Sequence, residues 1–245
     1  MDVLRDFAAK YGITYTLFSD EGSRVIRALG LFNDQVYEHH SAYGIAKQDR
    51  VWGVPYPGVF VLDAHGDVVQ KRFQQSYRER ETGAGLLQQG FGIASTEHGA
   101  EARDQAEGVQ VCAYLDSDTY RFFQRLWLTV EFTIAPGLHV YGQPVPAGYM
   151  PLSIDLAPAA GLVVGTAQWP APQPLHIAGL DEQFYVYEGK VTVSVPVTLT
   201  QEDDQTLQVT IRYQACSMTD CFAPRTFALQ VPVQAAEHIE RPRRR

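Results

Sequence analysis

From Leu126 to Val233, apolar side chains return at every second position, and a chain with that period can bury them only as sheet. Leu126, Leu128, Val130, Phe132 and Ile134 alternate with Trp127, Thr129, Glu131 and Thr133. Val191, Val193, Val195, Val197 and Leu199 alternate with Thr192, Ser194, Pro196 and Thr198. Leu207, Val209, Ile211 and Tyr213 repeat the pattern, as do Phe227, Leu229, Val231 and Val233. One apolar and one polar face per run is how strands of an antiparallel sandwich read. Turn-rich segments such as Ala135-Pro136-Gly137 and Gln201-Glu202-Asp203-Asp204 separate the runs.

About eight strands with no helical run predict an immunoglobulin-like antiparallel β-sandwich over residues 107–235. The preceding part is written in another period. Val3, Leu4, Phe7, Ala8 and Tyr11 share one helical face, closed by Gly12, and Tyr15-Thr16-Leu17-Phe18 reads as a short strand. Ser19 or Asp20 precedes a second helix carrying Val25, Ile26 and Leu29, ended by Gly30. Val59 to Asp63 reads as a buried strand, followed by a turn at His65-Gly66-Asp67 and a strand through Phe73. Glu79 to Gln89 reads as the last helix. The order α-β-α-β-β-α predicts a mixed α/β layer over residues 1–91. Residues 92–106 lose all periodicity and read as a linker, and residues 236–245 as a basic, solvated tail.

A formal charge of −8 excludes a general nucleic-acid surface, which needs clustered Lys and Arg. No run of about 18 apolar residues is present, so no membrane insertion is expected. No signal peptide is visible after Met1. The adjacent pair His39-His40 reads as a solvated loop, because no third ligand lies nearby.

Three cysteines remain. Cys112 alternates with Val109, Val111 and Leu115 and reads as a structural free thiol, with a third redox partner as the other possibility. Cys216 and Cys221 enclose Ser217-Met218-Thr219-Asp220. Four intervening residues can bring two Cα atoms within disulfide reach. Closing so small a ring stabilises less than closing a large one, so the pair is a weak staple and a plausible reversible switch. Cys216 has the parity of Arg212 and Gln214, which points it away from the main core. An ordinary hairpin disulfide fits the same spacing, and both readings stay open on the residues alone.

The segment Tyr213-Gln214-Ala215-Cys216-Ser217-Met218-Thr219-Asp220-Cys221-Phe222-Ala223-Pro224 resembles the active-site segment of the N-terminal domain of the thiol:disulfide interchange protein DsbD family. Pro136-Gly137-Leu138-His139-Val140-Tyr141 resembles that family's early strand-turn, and Asp181-Glu182-Gln183-Phe184-Tyr185-Val186-Tyr187-Glu188-Gly189 its cap loop. The resemblance implies a periplasmic or otherwise extracytoplasmic domain that passes reducing equivalents to thioredoxin-like or membrane-embedded thiol proteins. It implies no cofactor beyond the redox-active disulfide, and no metal is expected because no His or Cys cluster flanks the pair. Cys221 would attack the oxidised partner and Cys216 would resolve the mixed disulfide, with the reverse order as the runner-up. Phe184 would cap the pair, with Asp181, Glu182 and Tyr185 in the same loop, and Glu182 would raise the thiol pKa.

Residues 1–90 resemble the later part of the peroxiredoxin and thioredoxin-like superfamily. Leu4 to Ile13, Leu17-Phe18-Ser19-Asp20 and Gly53 to Asp63 carry the resemblance, which puts Pro57 at the place of a cis-proline. That superfamily's catalytic Cys precedes the matching stretch, and no Cys occurs here before Cys112. The resemblance therefore implies a partial thioredoxin-like α/β fragment ahead of the sandwich. Two other functions stay open: a non-enzymatic interaction module with a structural disulfide, and a peroxiredoxin-like antioxidant enzyme whose catalytic Cys lies upstream.

Overall fold

Asp20 shows how the first unit is built. Its carboxylate accepts the backbone N–H groups of Val25 (2.9 Å) and Ile26 (3.0 Å), which holds its pKa below the ordinary carboxylate value. The computed structural model describes residues 2–42, 46–74, 79–93, 95, 97–177 and 182–236. The chain divides into two compact units, Met1–Glu79 and Arg80–Arg245.

The first unit holds helices α1 (Asp2–Tyr11), α2 (Arg24–Ala28) and α3 (Val36–Ala42) and strands β1 (Gly58–Leu62) and β2 (Val68–Phe73). The strands form an antiparallel hairpin. Asp63 closes its turn, its Oδ1 accepting the N–H groups of His65 and Asp67, while Gly66 takes φ 88°. Two expectations are corrected. Tyr15 to Phe18 is not a strand, because the sheet stops at two strands and offers that backbone no ladder. His39-His40 lies in α3 and not in a loop. The apolar face of α1 is also left open: Val3, Phe7 and Tyr11 are exposed.

The second unit begins with β3 (Arg80–Glu81), α4 (Gly83–Phe91), β4 (Ala102–Ala106), β5 (Val109–Leu115), β6 (Thr119–Tyr120) and β7 (Gln124–Ile134). It continues with β8 (His139–Tyr141), β9 (Ser153–Leu156), β10 (Leu162–Val164), β11 (Gln173–His176) and β12 (Gln183–Tyr187). The last strands are β13 (Lys190–Leu199), β14 (Gln205–Tyr213), β15 (Ala215–Cys216) and β16 (Arg225–Ala235). One large sheet runs β10-β13-β7-β5-β4, with β3 beside β7, and a second runs β6-β16-β14-β9. Their facing sides interdigitate as the main core: Leu126, Leu128, Val130, Phe132 and Ile134 meet Leu207, Val209, Ile211, Phe227 and Val231. The alternation read from the sequence is thus the alternation of an antiparallel β-sandwich.

The linker reading is corrected at its C-terminal end. Ala102 to Ala106 pairs with β5, and the Tyr213 hydroxyl donates to the Ala106 carbonyl at 2.8 Å. Only Ala102 and Ala106 of that strand pack on the core, too faint an apolar signal for a period to show. Trp127, expected on a polar face, is buried. Helix α4 lies over it so closely that a Cβ on Gly85 would stand 2.6 Å from the Trp127 ring. Thr82 caps α4 by accepting the Gly85 N–H at 2.9 Å, and its hydroxyl donates to Asp116, whose other oxygen accepts the Trp127 N–H at 2.9 Å.

Candidate redox site

A third, four-stranded sheet, β11-β12-β8-β15, carries the cysteines. Its two faces have different fates. Val140, Tyr187 and Ala215 enter the main core. Tyr141, Phe184, Val186 and Cys216 build a separate apolar cluster on the other face, flanked by Val145, Tyr149, Leu175 and Ile177. Register explains the grouping, since Tyr141 pairs with Val186, Leu175 with Phe184, and Cys216 with His139. The parity reading of Cys216 therefore holds. Cys216 does turn from the main core, but its exposure is 0% because the second cluster closes over it.

Cys216 and Cys221 are joined as a disulfide, with their Cα atoms 4.0 Å apart. The chain between them is a tight turn. The Ser217 N–H donates to the Asp220 carbonyl at 2.7 Å, and the Ser217 Oγ accepts the N–H groups of Thr219 and Asp220. Beyond the turn, the Phe222 N–H returns to the Ala215 carbonyl at 2.9 Å, and the Gln214 amide donates to the Phe222 carbonyl. Cys221 is thereby carried to the surface and is exposed. Met218 (55%) and Phe222 (41%) stand exposed on either side of it in sequence. The two cysteines of one bond thus sit in opposite environments.

The polar group placed on the pair is the Tyr141 hydroxyl, 3.6 Å from the Cys221 Sγ. A disulfide sulfur has no hydrogen, so the hydroxyl donates. Burial, and next the neighbouring Tyr149, push the Tyr141 pKa up and keep its proton in place. Tyr141, Tyr149 and Phe184 form an aromatic triangle with centroid distances of 5.0–5.5 Å. His139 packs edge-on against Tyr141 at 5.5 Å.

The structure gathers some of the expected residues and not others. Phe184 is fully buried against Cys216. Glu182 is exposed, and Tyr185 is half-buried opposite Pro174, on the parity that alternates with Phe184. Asp181 lies outside the described residues. Pro57 is in the other unit and follows a trans bond, correcting the cis expectation: the cis bond among the described residues is Gln143–Pro144. The trans isomer is the intrinsic preference of an X–Pro bond unless packing reverses it. Tyr141, Tyr149 and His139 escaped the sequence reading as site residues. Their signal was available in the spacing of His139 and Tyr141, two apart on a strand that must pair somewhere.

Cys112 is free and buried on the outer face of the large sheet, paired in register with Arg103 and Glu131. Burial pushes its thiol pKa up, which suits a structural thiol. Among the described residues, no group of three His, Cys, Asp or Glu side chains is placed to hold a metal ion, and no helix is long and apolar enough to cross a membrane.

Fold and site together define a β-sandwich that presents a half-exposed disulfide on a subsidiary sheet. Residues 116–232 match the family described as thiol:disulfide interchange protein DsbD, N-terminal, and residues 1–71 match the AhpC/TSA family. Among solved structures, the N-terminal periplasmic domain of ScsB from Proteus mirabilis is 19% identical, with 51% of this chain and 46% of that one covered at a TM-score of 0.39. The match thus spans under half the length of the ScsB domain. The reduced DsbD N-terminal domain of Neisseria meningitidis is 15% identical over 55% of this chain and 86% of its own, at a TM-score of 0.35. The complex between the DsbD and PilB N-terminal domains of the same organism matches at 16% identity, 54% and 80% coverage, and a TM-score of 0.32. No curated protein matches the sequence.

Proposed function

We propose that the chain is a thiol–disulfide exchange module that passes reducing equivalents between protein thiols through Cys216 and Cys221. The observation that carries this reading is the asymmetry of the bond, with Cys221 exposed and Cys216 enclosed. Exchange needs one sulfur that a partner can reach in line and a second that resolves the mixed disulfide. In the reduced module the Cys221 thiolate attacks a partner disulfide, the Tyr141 hydroxyl stabilises the charge on its sulfur, and Cys216 then displaces the partner. Met218 and Phe222 supply an apolar rim for docking. Phe184 covers the inner sulfur and keeps it from solvent thiols until a partner arrives. In this reading Asp181, Glu182 and Tyr185, neighbours of Phe184 in sequence, tune the pair.

The match to the DsbD N-terminal family supports the reading, and with it an extracytoplasmic compartment, where such pairs persist. The partners are thioredoxin-like or membrane-embedded thiol proteins, and the cysteines serve without a further cofactor. Residues 1–79 bring no cysteine, so the thiol chemistry of this chain rests on the sandwich.

Trapping tests the proposal. Reduced Cys216→Ser, incubated with oxidised thioredoxin as probe, should accumulate a mixed disulfide on Cys221, and Cys221→Ser should accumulate none. Equal trapping by both variants, or by neither, would contradict it.

A further inference from the structure

The face of the small sheet that holds Cys216 also holds a buried imidazole. His139 is the cross-strand partner of Cys216, and such partners project to the same side with Cβ atoms about 4.5–5.5 Å apart. The ring is 2% exposed, and its Nε2 has no hydrogen-bond partner among the described residues. An unpaired buried nitrogen is unfavourable unless another state of the protein supplies its partner. The oxidised pair has no hydrogen to offer, but reduction gives Cys216 an S–H on this face. His139 also lines a cleft of about 670 Å³ whose wall includes Met218, from the turn between the cysteines.

We propose that His139 accepts the Cys216 proton and so arms Cys216 as the resolving thiol, an inference that rests on the exchange reading above. The step begins with Cys221 joined to a sulfur of the partner protein. Cys216 passes its proton to Nε2, and its Sγ attacks the Cys221 Sγ. The Cys216–Cys221 bond forms as the Cys221–partner bond breaks. The partner leaves as a thiolate with the electron pair of the broken bond, and the imidazolium returns its proton to water.

Charge around the ring suits the task. Burial holds the His139 pKa below its ordinary value, with Glu188 opposing, so the ring is neutral and able to accept at neutral pH. The groups around it are Cys216 from β15, Tyr141 from its own strand, Glu188 just past β12, and Lys190 of β13 at the cleft wall.

The test uses the reduced full chain in a Cys112→Ala background with 5,5′-dithiobis(2-nitrobenzoate). Attack by Cys221 releases the first thiobenzoate, and resolution by Cys216 releases the second. His139→Gln should slow the second release by about 100-fold, the usual scale of a general base, and leave the first unchanged. The wild-type second phase should also show an inflection below the ordinary histidine range that the variant lacks. A second phase and pH profile unchanged in His139→Gln would overturn the inference alone. A wild type that never releases the second thiobenzoate would overturn the exchange reading with it. Independently of any variant, reduction of the wild-type chain should move the ¹⁵N resonance of His139 Nε2, and an unmoved resonance would overturn the inference.

Discussion

At the scale of single residues, the site is a contrast between two sulfurs and the side chains that maintain it. Phe184 encloses Cys216, so Phe184→Ala should cost about 3–5 kcal/mol of stability, as truncating a buried Phe does. In the reduced variant, Cys216 should alkylate nearly as fast as Cys221, whereas in the wild type Cys221 leads. Mass-tagging after a short iodoacetamide pulse reads both. Tyr141→Phe keeps the aromatic packing and removes the donor on Cys221. It should change stability by about 1 kcal/mol or less, yet shift the alkylation profile of Cys221 to higher pH, because the thiolate loses its hydrogen bond. A profile identical to wild type would mean the hydroxyl plays no part. The cysteine pair and Phe184 were legible in the sequence through spacing and resemblance. Tyr141 and His139 were legible only as a shared strand face, because an alternating strand does not announce which strand it will pair with. Glu182 shows the converse: its place in a motif did not put it in the buried cluster.

Among the elements, α4 depends on a single carboxyl. Asp116 accepts from the Thr82 hydroxyl that caps the helix and from the Trp127 backbone beneath it. Asp116→Ala strands both donors and should cost about 2–6 kcal/mol, at about 1–3 for each buried group left unpaired. Burial, the largest influence, raises the Asp116 pKa. The folded state therefore binds its proton more tightly than the unfolded state. The associated stability is full below the unfolded value of about 4 and is lost as pH rises through the folded value. Urea midpoints of Asp116→Asn should gain on wild type as pH rises from 4 to 7, and a constant difference would contradict this. The four long strands were legible because each buries one face in a period of two. Strand β4 was not, since only Ala102 and Ala106 of it pack on the core, and the burial of Trp127 was not, since it depends on α4, distant in sequence. Tyr15 to Phe18 failed as a strand: its composition allows a ladder, but among the described residues no strand pairs with it.

Over the whole molecule, burial is unevenly shared. In the first unit Val36 and Val61 are the buried aliphatic side chains among the described residues, whereas the sandwich encloses two apolar clusters. Hydrogen exchange should show it, with amides of β7, β13 and β14 protected for longer than those of α1 and the β1–β2 hairpin. Equal protection would contradict that ranking. The central claim concerns the pair itself, and its reduction potential tests that claim most directly. The oxidised chain should be equilibrated in glutathione buffers and its free thiols mass-tagged. A midpoint between about −180 and −270 mV is expected for an exchange pair, and a Cys216–Cys221 bond still intact at about −300 mV would mark a structural disulfide and contradict the account.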